Sequence, residues 1–170
     1  RLVGDGGYDK ALELYFTRHD GQACTIEDWL KVFEDATGRD LTQFKRWYTD
    51  AGTPHLAMTE DWQDGTLTLT FTQETAPTPG QPDKGPRTIP IALGLIGPNG
   101  DEVLPTTVLE MTEARQSFTF DGLGARPVVS LLRGFSAPVT VGRAIPADQQ
   151  ALLLAHDTDP FARWEAGHDL

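Results

Sequence analysis

Apolar positions in this chain recur first at the period of a helix, then at that of a strand, then at that of a helix again. Tyr8, Ala11, Leu12 and Tyr15 fall at i, i+3, i+4 and i+7 and form one face of a first helix. His19-Asp20-Gly21 ends it, the glycine supplying a left-handed cap. Thr25, followed three residues later by Asp28, has the form of a capping box with Asp in place of the usual Glu. Trp29, Leu30, Val32, Phe33 and Ala36 make a wide apolar stripe, and Gly38 closes this second helix. Asp40 and Gln43 repeat the capping pattern ahead of Leu41, Phe44, Trp47, Tyr48 and Ala51, whose large side chains are expected to pack between helices. Gly52 and Pro54 stop the third helix.

From His55 the period is two. Leu67, Leu69 and Phe71 alternate with Thr66, Thr68, Thr70 and Thr72, a half-buried strand whose partner is expected over His55–Trp62. Residues 76–87 hold prolines and glycines too closely spaced for helix or central strand and read as an exposed loop. Ile89, Ile91, Leu93 and Leu95 alternate again, and Asn99-Gly100 is a hairpin turn into Glu102–Leu104. Further short strands are expected around Val108–Met111, Gln116–Phe120, Val128–Leu132 and Pro138–Val141. About seven strands separated by Gly, Pro or Asp have the spacing of an antiparallel sandwich. From Pro146 the helical period returns through Gln150, Leu153 and Leu154 to His156. Asp159-Pro160 then opens another helix with Phe161 and Trp164 on one face. The fold class is therefore α+β: N-terminal short helices, a central sandwich and a C-terminal helical pair.

Composition narrows the function more by exclusion than by assignment. A net charge of −11 with scattered acidic residues argues against nucleic acid and against anionic membrane surfaces as partners. The single cysteine, Cys24, cannot form an internal disulfide and is compatible with a reducing, cytoplasmic setting. No apolar run approaches the roughly 18 residues of a membrane span. The chain opens Arg-Leu-Val-Gly and closes Ala-Gly-His-Asp-Leu inside a helical pattern, so both ends read as cuts in a longer protein.

The candidate chemistry is sparse. His19 and Asp20 stand at a helix end, His55 enters a strand, and His156 and His168 lie in the final helices. Their spacing matches neither the two-histidine helical zinc pattern nor a calcium loop. There is no nucleophile elbow, phosphate-binding loop or dinucleotide fingerprint; Gly94, Gly97, Gly122 and Gly124 are turn glycines. Cys24 with His19 would make a dyad only across a turn, and a half-buried thiol is the simpler reading. Glu27/Asp28, Glu34/Asp35 and Glu60/Asp61 are adjacent pairs whose side chains point apart, and read as solvated faces. No residue receives a catalytic, cofactor-binding or metal-binding role.

The wording of several stretches nevertheless carries a resemblance. Leu14-Tyr15-Phe16-x-Arg18-His19-Asp20-Gly21-x-Ala23, Phe33-Glu34-Asp35-Ala36 and Arg46-Trp47-Tyr48 with Ala51-Gly52-Thr53-Pro54 resemble the end of the catalytic domain in the bacterial aminopeptidase N family. Thr78-Pro79-Gly80-Gln81, Ile89–Leu95 and Phe135–Val139 are similar to its immunoglobulin-like domain. Asp148-Gln149-Gln150 and Asp159-Pro160-Phe161-x-Arg163-Trp164-Glu165-Ala166 resemble the opening of its C-terminal helical domain. The resemblance implies a division into residues 1–53 (the helical end of a catalytic domain), 54–144 (an immunoglobulin-like sandwich) and 145–170 (the first helices of a further domain). It also implies a parent that uses zinc to remove N-terminal residues from peptides, with every zinc ligand and catalytic group outside this chain. The partners implied are the remaining domains of that parent, with peptide substrate reached only through them. The competing reading is a free-standing sandwich that binds peptide or carbohydrate through an exposed aromatic such as Trp62.

Overall fold

The computed structural model describes all 170 residues, Arg1–Leu170, in two compact units, Arg1–Ala51 and Gly52–Leu170. The first unit holds helices α1 (Gly4–His19), α2 (Ile26–Thr37) and the single turn α3 (Arg46–Thr49). Ala11, Leu30, Val32, Phe33 and Leu41 form its buried centre, with Leu14, Tyr15, Trp29 and Phe44 packed around them. The ring of Tyr15 meets Trp29 edge-on at 4.9 Å, and Tyr8 meets Phe33 at 5.6 Å. The capping box is present: Thr25 Oγ1 accepts from the Asp28 N–H, and the Asp28 carboxylate accepts from the Thr25 N–H at 2.9 Å. Gly38, at φ +70°, ends α2 in the left-handed region.

The third expected helix is mostly replaced by tight turns. Asp40 does not cap a helix; its carboxylate accepts from the Thr42 N–H at 2.8 Å, two residues on, as in an Asx turn. The N–H groups of Arg46, Trp47 and Tyr48 then reach back three residues to Gln43, Phe44 and Lys45 rather than four. Such bonding advances each residue further around the axis than an α-helix does. The apolar stripe is thereby unwound: Leu41 is buried, Phe44 and Trp47 are half-buried, and Tyr48 is exposed.

The second unit is a sandwich of two sheets with a helical pair on one outer face. One sheet has the order β5-β2-β1-β7, from β1 (His55–Gln63), β2 (Thr66–Glu74), β5 (Arg115–Phe120) and β7 (Thr140–Gly142). The other has the order β4-β3-β6, from β3 (Ile89–Ile96), β4 (Glu102–Met111) and β6 (Val128–Leu131). All neighbouring strands are antiparallel except β7, which lies parallel to β1. Leu56, Met58, Leu67, Leu69 and Phe71 alternate inward from the first sheet. On its outer face hydroxyls pair across strands: Thr70 meets Ser117 at 2.8 Å and Thr66 donates to Asp121 at 2.9 Å.

Strand β3 is buried at every position. Ile89, Ile91, Leu93 and Leu95 occupy one of its faces; Pro90, Ala92, Gly94 and Ile96 occupy the other. Ile96 and Val128 on that second face pack with Leu153 of α4 (Ala147–His156) and Ala166 of α5 (Pro160–His168). The expected strands around Glu102 and Val108 are one strand. Its Pro105 falls where the register slips, Leu93 facing Thr107 but Leu95 facing Leu104, on the edge of a sheet where a missing N–H is tolerated. The proline-rich loop is exposed only in part, with Thr78, Gln81, Lys84 and Pro86 half-buried, and Arg87 is buried. There the Gln73 amide accepts from the Arg87 N–H and donates to its carbonyl, both at 2.8 Å.

Leu93→Ala is expected to lower the stability of the sandwich by about 2–5 kcal/mol, because it empties a site closed on both sides. Thr68→Ala, on the outer hydroxyl face, should change it by no more than about 0.5 kcal/mol. Urea unfolding followed by circular dichroism checks both.

Candidate functional site

The most concentrated chemistry in the chain is a buried polar cluster between the outer face of the second sheet and the α4–α5 corner. Leu132, at φ +52°, turns the chain out of β6, and Arg133 folds back across the sheet. Its backbone N–H donates to Ala92 O at 2.9 Å, while Ser136 Oγ accepts from the Ala92 N–H at 2.9 Å. This loop therefore continues the sheet where β6 has ended. The Arg133 side chain is 1% exposed and lies over Gly94. A β-carbon at Gly94 would overlap the guanidinium carbon, so only glycine fits there.

Four groups surround that cation. Nε donates to Ser130 Oγ at 2.8 Å; Nη1 donates to Glu102 Oε1 at 2.6 Å and to Thr106 Oγ1 at 3.0 Å. Nη2 donates to Asp157 Oδ1 at 2.9 Å. Ser130 comes from β6, and Glu102 and Thr106 come from β4, Thr106 lying within the register slip. Asp157 is the C-cap of α4, and the same Oδ1 accepts from the Asp159 N–H at 2.9 Å. Asp159 caps α5 through the Ala162 N–H at 2.8 Å, and Thr158 donates to Glu102 at 2.8 Å. One guanidinium thus holds two strands and the turn between two helices. The bond from Arg133, then that from Thr158, keeps the Glu102 carboxyl below its ordinary value of 4.5.

A second buried cation ties the two sheets. Arg143 donates to Val129 O at 2.7 Å and to Glu60 Oε1 at 3.1 Å, while Arg126 stands 3.5 Å from the other oxygen of Glu60. Burial pulls the Arg143 pKa down, opposed by Glu60. Glu60 is therefore an ion-pair partner and not a solvated face. Other carboxylates read as solvated also have partners. Asp35 pairs with Arg18 and Lys31, which hold its pKa down; Glu27 pairs with Lys45; Glu34 accepts from the Leu41 N–H.

The histidines are scattered. His19 stacks near Tyr15 at 5.5 Å; His55 Nδ1 lies 3.0 Å from Thr140 Oγ1; the His156 ring rests on Gly100; and His168 lies 3.4 Å from Asp169. No three His, Cys, Asp or Glu side chains gather closely enough to share a metal ion. The Cys24 thiol donates to Gln22 O at 3.5 Å, not to His19. Trp62 is half-buried, and the exposed aromatics are Tyr8, Phe16, Tyr48, Phe135 and Trp164 instead. No helix is long and apolar enough to cross a membrane. Sequence reasoning missed the Arg133 cluster because its members lie far apart in the chain. The usable signal was the small outer face of β3, which carries Pro, Ala and Gly where a solvated strand would carry polar residues.

Arg133→Ala is expected to cost about 3–5 kcal/mol by leaving Asp157 and Glu102 without their cation. Gly94→Ala should destabilise as well, by about 1–3 kcal/mol through overpacking. The contribution of ionised Glu102 is complete above 4.5 and is lost as the pH falls through its lower folded value. In Glu102→Gln that acid-dependent loss should disappear, which thermal unfolding at stepwise lower pH reads directly.

Comparison with known proteins gives this geometry a setting. Residues 52–144 match a family described as a domain of unknown function (DUF3458) with an Ig-like fold. Aminopeptidase N from Escherichia coli is 38% identical over 179 residues, and that from Caulobacter vibrioides is 44% identical over 171. The match takes in 99% of this chain but 20% of each of those proteins. The solved structure of Legionella pneumophila aminopeptidase A, in complex with aspartic acid, superposes with a TM-score of 0.88 at 30% identity, over 99% of this chain and 19% of that one. The chain thus spans about a fifth of the length of the relatives it matches. With two-sheet topology, sequence match and superposition in agreement, the chain belongs to the DUF3458 Ig-like family and is homologous to the corresponding segment of aminopeptidase N.

Proposed function

We propose that this chain is a non-catalytic structural segment of a zinc-dependent aminopeptidase that removes N-terminal residues from peptides. The observation that carries the reading is the coverage: nearly all of this chain aligns with about a fifth of each aminopeptidase N. In this reading residues 1–53 are the helical end of a catalytic domain, 54–144 an immunoglobulin-like spacer and 145–170 the first helices of a C-terminal domain. Its partners are the other domains of the same polypeptide, and peptide reaches it only through them. The parent works in the cytoplasm, in keeping with a single unpaired thiol at Cys24.

Zinc, when bound in such a parent, activates a water for attack on the first peptide bond. The residues of this chain do not fit that metal, since its four histidines stand apart and no three His, Cys, Asp or Glu side chains gather. In this reading the zinc ligands belong to other parts of the parent. The chain's own contribution is mechanical. The Arg133 cluster fixes the sandwich to the helical pair, so that no flexible linker separates those two.

The purified chain is expected to bind no stoichiometric zinc and to leave alanyl anilides uncleaved. Metal analysis and a chromogenic assay check this, and hydrolysis that a chelator abolishes would overturn it.

A further inference from the structure

The second unit holds a cavity of about 130 Å³ between the end of β6 and the helical pair. Leu131 and Leu132 wall it from β6 and the turn after it, Leu153 from α4, and Ala162 and Ala166 from α5. All of these are buried. Glu165 and Asp169, both exposed, carry the lining out to solvent. An apolar cavity of about 150 Å³ takes one benzene ring, so the space suits a molecule of about six non-hydrogen atoms.

The lining carries charge of both signs. Arg143 is the cation, with its side chain 6% exposed. Its terminal nitrogens donate to Val129 O and to Glu60. Its Nε is buried and has no hydrogen-bond partner. Native structures seldom leave such a donor unmet without a ligand, ion or water to take it. The anions are Glu165 and Asp169, one helical turn apart at the C-terminal end of α5, where Asp169 is the C-cap. The negative end of the helix dipole lies there, so both carboxylates stand where a cation is favoured. Glu165 has no cationic partner, and Asp169 has only His168 at 3.4 Å. Burial, then the Asp169 charge, raises the Glu165 carboxyl above its ordinary value of 4.5. Arg143 responds to Glu60 and Glu165 to Asp169, so the two poles do not neutralise each other. Gln150 of α4 is the remaining polar side chain on the lining.

We propose that this cavity binds a small free α-amino acid as its zwitterion. The ligand carboxylate accepts from the Arg143 Nε–H, the ammonium stands against Glu165 and Asp169, and the side chain lies on the apolar wall. A hydrocarbon would leave the Nε–H unmet, as would a simple amine. A simple acid would meet the two carboxylates unshielded. The volume suits alanine and is too small for phenylalanine. The inference rests on the cavity alone and stands whether or not the segment reading holds. Under that reading, the spacer carries a site for the class of molecule that the parent releases.

L-alanine titrated into the isotope-labelled 170-residue chain, followed by amide NMR, tests the proposal. Saturable shifts are expected, centred on Leu132, Arg143 and Glu165. L-alaninamide, which lacks the carboxylate, and propionate, which lacks the ammonium, should each bind roughly tenfold more weakly or worse. L-phenylalanine should give no saturable shift at these residues. Glu165→Gln combined with Asp169→Asn should weaken L-alanine by a similar factor. Both side chains are exposed, so the double variant keeps its fold, which circular dichroism checks. Shifts that never saturate, or that centre elsewhere, would overturn the proposal and leave the cavity to water. So would propionate, alaninamide or phenylalanine binding as tightly as alanine, or a folded double variant that binds alanine unchanged. None of these outcomes touches the segment reading.

Discussion

A guanidinium with 1% of its surface in water must be paired or be ruinous, and the second unit is arranged to pair it. Arg133 has no route to solvent, so its donors have to find acceptors inside the protein. Ser130, Thr106, Glu102 and Asp157 accept from four of its five N–H groups, and they come from two strands and a helix junction. The demand runs outward from there. It requires the positive φ at Leu132 that folds the side chain back, and the bare backbone at Gly94 on which it rests. It also requires the slip beside Pro105 that brings Thr106 into reach. The apolar contacts of Ile96, Val128, Leu153 and Ala166 supply burial, but burial alone is non-directional. The ion cluster sets where the helical pair sits on the sheet.

The first unit is held by different means. Its helices meet through aromatic rings, and its ends are closed by local bonds: the Thr25/Asp28 box, Gly38, and the reach of Glu34 to the Leu41 N–H. Each of those devices spans at most seven residues. The sandwich instead relies on pairings of high sequence separation, such as Arg143 with Glu60 across 83 residues. The division between local and non-local bonds is thus one of degree, since in the first unit Arg39 also reaches Leu2 O across 37 residues.

That division also explains what the sequence made legible. The capping box at Thr25, the Gly38 stop, the alternation of β2 and the Asn99-Gly100 turn are short-range signals, and each appears where its residues predict. Asp40 failed as a cap because an aspartate can also bond two residues ahead, and the competing turn prevailed. Strands around Glu102 and Val108 were divided at Pro105 because a proline on an edge strand looks, in sequence, like a break. The Arg133 cluster was out of reach altogether. Nothing near Arg133 announces Glu102 or Asp157; only the folded topology brings them together. The likeness to aminopeptidase N needs no such geometry, since it runs as sequence identity through 99% of the chain.

Gly94 has a bearing on how this region can change over generations. A side chain cannot appear there while Arg133 remains, and Arg133 cannot leave while Glu102 and Asp157 still face inward. Any single step among these positions is expected to pass through a destabilised intermediate, which couples them energetically as a block. The block straddles the sandwich and the helical pair. A chimaera that joined the sandwich of one relative to the helices of another would therefore inherit a working seam only if both parents carried the same four-residue lock.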